Sequence, residues 1–267
     1  MVKIAILLVV AAVGVAGIGA TVWNRLASDG KAVMPPPPRL FPDAQARSVD
    51  TATFAAARQA GRVATTWLAA HPAATDATFS AWALATLPTP ARGPALRPEL
   101  RSVEAAVAAR TPEQAAAALW LEQWGKKAVW KLYLKQARPF LPADEAKRAK
   151  VALKAALALG STLTGTAKAQ VKRPSPYEVD PRLAAVNKAK FNGQVRYSFP
   201  SKHDVLEFAA LVVLDRVDPR RSSEFRWMAD QVSYSRLAGG GHYPSDLAAG
   251  AYLGTLVGHY ELRRAGL

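Results

Sequence analysis

Residues 235–246 read Ser235-Arg236-Leu237-Ala238-Gly239-Gly240-Gly241-His242-Tyr243-Pro244-Ser245-Asp246. The three glycines carry no side chains, so a ligand can approach the backbone closely at Gly241. His242 follows at once, and Asp246 comes four residues later, a spacing that can set a carboxylate beside the imidazole. A carboxylate bonded to one ring nitrogen fixes the tautomer and leaves the other nitrogen free to attack, which is what a nucleophilic histidine requires. Six residues before His242, Arg236 offers a planar fork suited to phosphate oxygens.

His203 has a related setting. It stands at the start of a helix behind Ser201 and Lys202, where free backbone N–H groups attract anions and a proton could be passed to a leaving group. His71, in a proline-flanked turn, and His259, near the C-terminus, read as structural.

Working outward, the chain reads as helical. Half of the 267 residues are hydrophobic and alanine dominates, while alternating runs of β-branched residues are absent. Phe54, Ala57, Ala60, Val63 and Trp67 fall at helical spacing, and breaks are expected at His71-Pro72, Pro88 to Pro94 and Thr111-Pro112. Trp120, Trp124, Ala128 and Leu132 read as one stripe of one helix, and Leu153 and Leu157 as part of another continuing past Gly160 towards Lys168. Ser201 with Asp204 suggests a capping box, and Asp218-Pro219 a helix start running towards Arg236.

Three segments follow from composition. Residues 1–25 hold nineteen uncharged residues, Ile4 to Val22, behind Lys3, and read as a signal peptide or an N-terminal membrane anchor. Residues 26–44 contain Pro35 to Pro38 and read as a proline-rich linker. Residues 45–267 form the expected functional domain, exported to the periplasm or tethered to the inner membrane facing it, with membrane contact only through the N-terminal segment. The formal charge of +15 favours anionic partners. Its lysines and arginines are scattered, without the compact basic tract and interleaved aromatics of single-strand binders, so no nucleic-acid partner is expected. With no cysteine, disulfides, thiolate metal sites and a cysteine nucleophile are excluded. A homo-oligomer is compatible with the sequence.

The ordered residues resemble the type 2 phosphatidic acid phosphatase and vanadium haloperoxidase superfamily, and most closely the bacterial class A acid phosphatases. That family's third motif, Ser-Arg, five residues, His, three residues, Asp, is met by Ser235, Arg236, His242 and Asp246. Its second motif, Pro-Ser-Gly-His, reads Pro200-Ser201-Lys202-His203, with lysine for glycine. The first, Lys, six residues, Arg-Pro, matches mechanically at Lys131, Arg138 and Pro139, but sixty residues then separate it from Pro200. Lys168 with Ser175-Pro176 leaves only twenty-three. Ser175 then stands where the arginine belongs, and Arg173 lies two residues earlier. The resemblance runs from about Pro35 to the C-terminus and is most specific over residues 168–246.

The resemblance implies an all-α helical bundle and a metal-independent hydrolase of phosphate monoesters. In it His242 is the nucleophile that forms a phosphohistidine, Asp246 its orienting carboxylate and His203 the general acid. Arg236, Lys168, Arg173, Ser201, Lys202 and the Gly241 backbone would bind the phosphate, with Lys202 and Arg173 replacing the cation lost at Ser175. No cofactor is expected, although vanadate could inhibit, or serve as the prosthetic group of a haloperoxidase. A lipid phosphate or pyrophosphate phosphatase and a non-catalytic anion binder are the remaining alternatives.

Overall fold

The computed structural model describes residues 34–183, 185–186 and 196–267. The expected signal or anchor segment, residues 1–25, lies outside them. Contacts divide the chain into Met1–Pro37 and Pro38–Leu267. Within the first, residues 34–37 carry no helix. The second holds every element below.

The helices are α1 (Asp50–Ala70), α2 (Asp76–Ala85), α3 (Leu96–Ala108), α4 (Pro112–Trp124), α5 (Ala128–Ala137), α6 (Ala143–Val171), α7 (Lys202–Val217), α8 (Ser222–Ala238) and α9 (Pro244–Arg264). Among the described residues there is no strand, only an isolated antiparallel bridge between Pro174 and Tyr197, so the fold is all-α as expected. None of the described helices is long and apolar enough to cross a membrane.

Local chemistry explains most boundaries. Thr111 caps α4 by accepting from the Gln114 N–H, the Gln114 side chain returns the bond to the Thr111 N–H, and Pro112 fills the first turn. Thr75 accepts from the Thr78 N–H at the start of α2. Lys172, with φ +50°, ends α6 in a left-handed cap.

Three boundary expectations are corrected. The tryptophan stripe belongs to two helices, because the chain breaks at Gly125–Lys127 and the Trp130 indole donates to the Gly125 carbonyl (2.7 Å) across the break. No side-chain cap forms at Ser201, since Asp204 is turned into the core, where it accepts from Ser233. After Asp218, residues Pro219–Arg221 form a 3-10 turn and the α-helix starts only at Ser222.

The bundle is organised around α9, which is buried on nearly every face and packs against α1, α6 and α7. Its closest neighbour is α7. Gly250, Gly254 and Gly258 recur every four residues along the α9 face that meets α7. A Cβ at these positions would lie 2.6 Å from the Asp204 Cβ, 2.3 Å from the Val205 carbonyl oxygen and 2.6 Å from the Val212 Cβ, respectively. On α6, Gly160 likewise leaves room for Val205, whose Cγ1 would be 3.1 Å from an added Cβ. Around this seam Ala60, Ala64, Leu68, Phe79, Ala156, Leu163, Ala209, Leu253, Leu256 and Val257 make a continuous apolar core. Phe79 stacks on Tyr260 with ring centroids 4.0 Å apart.

The glycine run after α8 has a different task from the one its sequence suggested. Gly240 has φ +73°, its N–H donates to the Leu237 carbonyl (2.9 Å), and the Gly241 N–H donates to the Arg236 carbonyl (3.3 Å). These are the paired bonds of a Schellman motif, which only a residue tolerant of positive φ closes without strain. The turn sends the chain back into α9. As a result the C-terminal end of α6, the N-termini of α7 and α9 and the C-terminal end of α8 meet at one end of the bundle.

Candidate active site

At that end lies a cavity of about 370 Å³ whose walls include Lys168, Lys202, His203, Gly241 and His242, large enough for a small organic ligand. Glu122, Lys126, Ser175, Tyr177 and Arg196 also line it. The two histidines of the second and third motifs therefore face one space. The exposed Lys131, Arg138 and Pro139 lie on and just after α5 and line no part of it.

His242 directs Nδ1 at Asp246, 3.5 Å from Oδ2, an electrostatic contact at the outer limit of a hydrogen bond. That leaves Nε2 to the cavity. Asp246 is fully buried, and Tyr243 N–H donates to its Oδ2 (2.9 Å) while Arg173 Nη1 donates to Oδ1 (2.7 Å). Burial alone would raise the Asp246 pKa, but His242, Arg173 and the Tyr243 N–H outweigh it and hold the carboxyl below the ordinary range. Burial lowers the pKa of His242 against the pull of Asp246. The imidazole is thus neutral at pH 7 with a lone pair available.

His203 presents Nε2 to the Glu122 carbonyl oxygen at 3.2 Å and to the Glu122 carboxylate at 3.7 Å. Because a carbonyl can only accept, Nε2 carries the proton. Burial, then the charge of Arg236, pushes the His203 pKa well down, with Glu122 opposing. An anion bound in the cavity would reverse that direction by stabilising the imidazolium. The Ser201 N–H donates to the Asp246 carbonyl (2.9 Å), a backbone tie between the second and third motifs.

Lys168, in the last turn of α6, points Nζ at the Tyr197 carbonyl oxygen, and burial brings its pKa down to about 8. Neighbouring residues fix that carbonyl: Ser198 N–H donates to the Arg173 carbonyl (2.8 Å) and Ser175 Oγ to the Arg196 carbonyl (2.5 Å). Ser175, which stands where the resembled motif has arginine, thereby lies on the cavity wall with Arg196 as its neighbour.

Three of the expected phosphate ligands take other positions, and a fourth has its donor engaged. Arg173 faces away from the cavity: it donates to Asp246 and, through Nη2, to Glu99 (2.9 Å), and its guanidinium lies 4.1 Å from the centre of the Tyr243 ring. The buried Asp246, the partly exposed Glu99 and an aromatic face hold it there more strongly than an open cavity could. Arg236 donates to the Glu122 carboxylate, to the Ala118 carbonyl (3.0 Å) and to Ser235 Oγ, so its fork is occupied. Gly241 lines the cavity, but its N–H closes the Schellman turn. Ser201 is fully buried and off the cavity wall.

Glu122 on α4 and Glu99 on α3 were not singled out from the sequence. Burial would raise the Glu122 pKa, but Arg236, His203 and Lys126 together hold it far below the usual carboxylate range. It therefore stands as a fixed negative charge between Arg236 and His203. The one signal for it is a lone acid within the apolar run Ala115 to Trp124.

A second buried acidic group begins one residue past His203. The Ser233 hydroxyl lies 2.7 Å from Asp204 Oδ1 and 2.6 Å from Glu207 Oε1, all three residues being buried. One hydroxyl has one hydrogen, so one of the two carboxyl groups must itself hold a proton and donate to Ser233. Burial raises both pKa values, and for Glu207 the Asp204 charge adds to the rise.

Residues 149–264 match the family model described as the PAP2 superfamily. That span runs from within α6 to the end of α9 and contains the three motif regions. No curated protein matches the chain. Among solved structures, LpxE from Aquifex aeolicus is similar at 19% identity and a TM-score of 0.48, over 62% of this chain and 94% of that one.

Proposed function

We propose that this chain is a phosphatase of the PAP2 type that hydrolyses phosphate monoesters through a phosphohistidine. The observation that carries this reading is the pairing of His242 with the ionised, buried Asp246, set across one cavity from His203 and among Lys168, Lys202 and Arg196. His242 Nε2 attacks phosphorus and the ester P–O bond breaks, while His203, charged as the imidazolium once the anionic substrate is bound, gives its second proton, the one on Nδ1, to the departing alkoxide. Water then attacks the phosphohistidine, His203 takes its proton, the P–N bond breaks and phosphate leaves. Lys168, Lys202 and Arg196 neutralise the phosphoryl oxygens, with Arg196 supplying the guanidinium that Ser175 lacks. Asp246 orients His242 and supports its positive charge. Arg173 acts through Asp246 as a positioning residue, and Glu122 does the same for Arg236 and His203.

The mechanism calls on no metal or cofactor. The hydrophobic segment at Ile4 to Val22 supports action outside the cytoplasm, near a membrane. Acid-quench trapping of labelled phosphate during turnover of a phosphomonoester panel tests the reading. Label on the wild type and none on His242→Ala supports it, and absence of both label and turnover across the panel refutes it.

A further inference from the structure

The cavity carries more positive charge than one phosphate needs. Lys126, Lys168, Arg196 and Lys202 all line it, and Glu122 is the only acid on its wall among the described residues. These charges are divided between two places. Lys168 and Arg196 line the cavity with His242, beside which the phosphorus is expected. Lys126, on the turn between α4 and α5, lines the cavity together with Lys202 at the start of α7, and Lys127 follows Lys126 on that turn.

The second group has the character of an anion site. Lys126, Lys127 and Lys202 are each half-buried. Lys126 reaches Glu122 at 3.3 Å, but that carboxylate is already shared with Arg236 and His203. No described carboxylate lies within ion-pair distance of Lys127 or Lys202. Burial, followed by the charges of Lys127 and Lys126, depresses the Lys202 pKa, the signature of ammonium groups held together without a counter-ion. Lys202 also replaces a residue that in the resembled motif is glycine, so this cation is an addition to the site.

We infer that Lys126, Lys127 and Lys202 form a second anion subsite beside the reacting phosphate, and that the preferred substrate carries a second phosphate or a carboxylate within a few bonds of the first. This rests on the phosphatase reading and narrows it. Lys202 lies between the two places and contacts both anions, whereas Lys126 and Lys127 contact only the second. The cavity, at about 370 Å³, has room for both.

Non-hydrolysable P–C compounds test the subsite without turnover. Dissociation constants are measured by calorimetry for methylphosphonate, phosphonoacetate and methylenediphosphonate on the full chain. At least one of the two-anion probes should bind roughly tenfold tighter than methylphosphonate, the gain expected from one charge-assisted contact. Methylenediphosphonate alone showing the gain assigns a second phosphate, and phosphonoacetate sharing it admits a carboxylate.

The double variant Lys126→Gln/Lys127→Gln should bring the ratio close to one. Lys147→Gln/Lys150→Gln, which removes the same net charge from the far end of α6, should keep it. If methylphosphonate binds and neither two-anion probe binds tighter, the subsite is refuted and the phosphatase reading stands. If the ratio falls equally in both double variants, net charge is responsible and the subsite is again refuted. If no probe binds and no phosphomonoester is hydrolysed, both inferences fall together.

Discussion

Two buried carboxylate groups meet near the start of α7, and they are in opposite states. Asp246 is fully buried yet ionised, because Arg173, the Tyr243 N–H and His242 converge on it. Asp204 and Glu207 are equally buried, but their common partner is the single hydroxyl of Ser233, and between them they retain a proton. Burial alone therefore does not set the charge of a carboxyl group in this bundle. Its donors do. Asp246 is given three positive or N–H partners, while the pair that shares one hydroxyl keeps one proton between its two carboxyl groups.

The largest effect expected from breaking this contrast is at the ionised group. Asp246→Asn keeps the shape and removes the charge, so kcat on a phosphomonoester should fall by a factor of about 10⁴, as when the orienting carboxylate of a Ser-His-Asp triad is removed. Single-turnover kinetics with phosphoenzyme trapping locate the loss in His242 attack. Next in size, Arg173→Met strands Asp246 and Glu99 without their cation. Denaturant unfolding should then show about 3–5 kcal/mol of lost stability, and Arg173→Lys should restore only part of it because one ammonium cannot serve both acids as a fork does.

At the proton-sharing pair the effects are smaller. Ser233→Ala removes the bridge and leaves two buried carboxyl groups facing each other, for a loss of about 1–3 kcal/mol by the same unfolding measurement. Glu207→Gln mimics the protonated state and should change stability at pH 5 by less than about 1 kcal/mol.

Its consequence appears on raising the pH. The folded pair holds a proton that the unfolded chain releases near pH 4, so the stability it contributes is complete below that pH and is lost as pH rises through the elevated folded pKa. Asp246 has the opposite sign, contributing above its unfolded pKa and losing that contribution as pH falls. The fall in Tm between pH 5 and pH 8 should therefore be smaller in Glu207→Gln than in the wild type. An equal fall in both would show that the pair is ionised throughout and the contrast is wrong.

The sequence made the cavity histidines, Lys168 and Asp246 legible and left their supports hidden. His242, Asp246, His203 and Lys168 could be read because the chemistry demands particular residue types at fixed spacing, and the structure brings three of them to one cavity with Asp246 behind. Helix breaks at His71-Pro72 and Thr111-Pro112 could be read for a similar reason, since the proline and capping signals act within a few residues. Glu99 and Glu122 could not. Each is a single acid on a helix far from the motifs in sequence, where most acids are solvated, and only the packing of α3 and α4 against α8 and α9 gives it a role. Arg173 was identified as important but assigned the wrong direction, because its orientation depends on the pairing of residues 173–175 with 196–198. The glycine run was read as an open approach for a ligand, whereas its first duty is to end α8.

The close seam between α7 and α9 has a mechanical meaning as well. His203 rides on the first turn of α7 and His242 stands two residues before α9, so the gap between the two imidazoles is gauged by how near those two helix axes can come. Three missing methyl groups, at Gly250, Gly254 and Gly258, set that gauge. Gly258 lies four turns along α9 from the chemistry, yet an alanine there would wedge the far end of the seam and tilt the acid away from the nucleophile without touching either one.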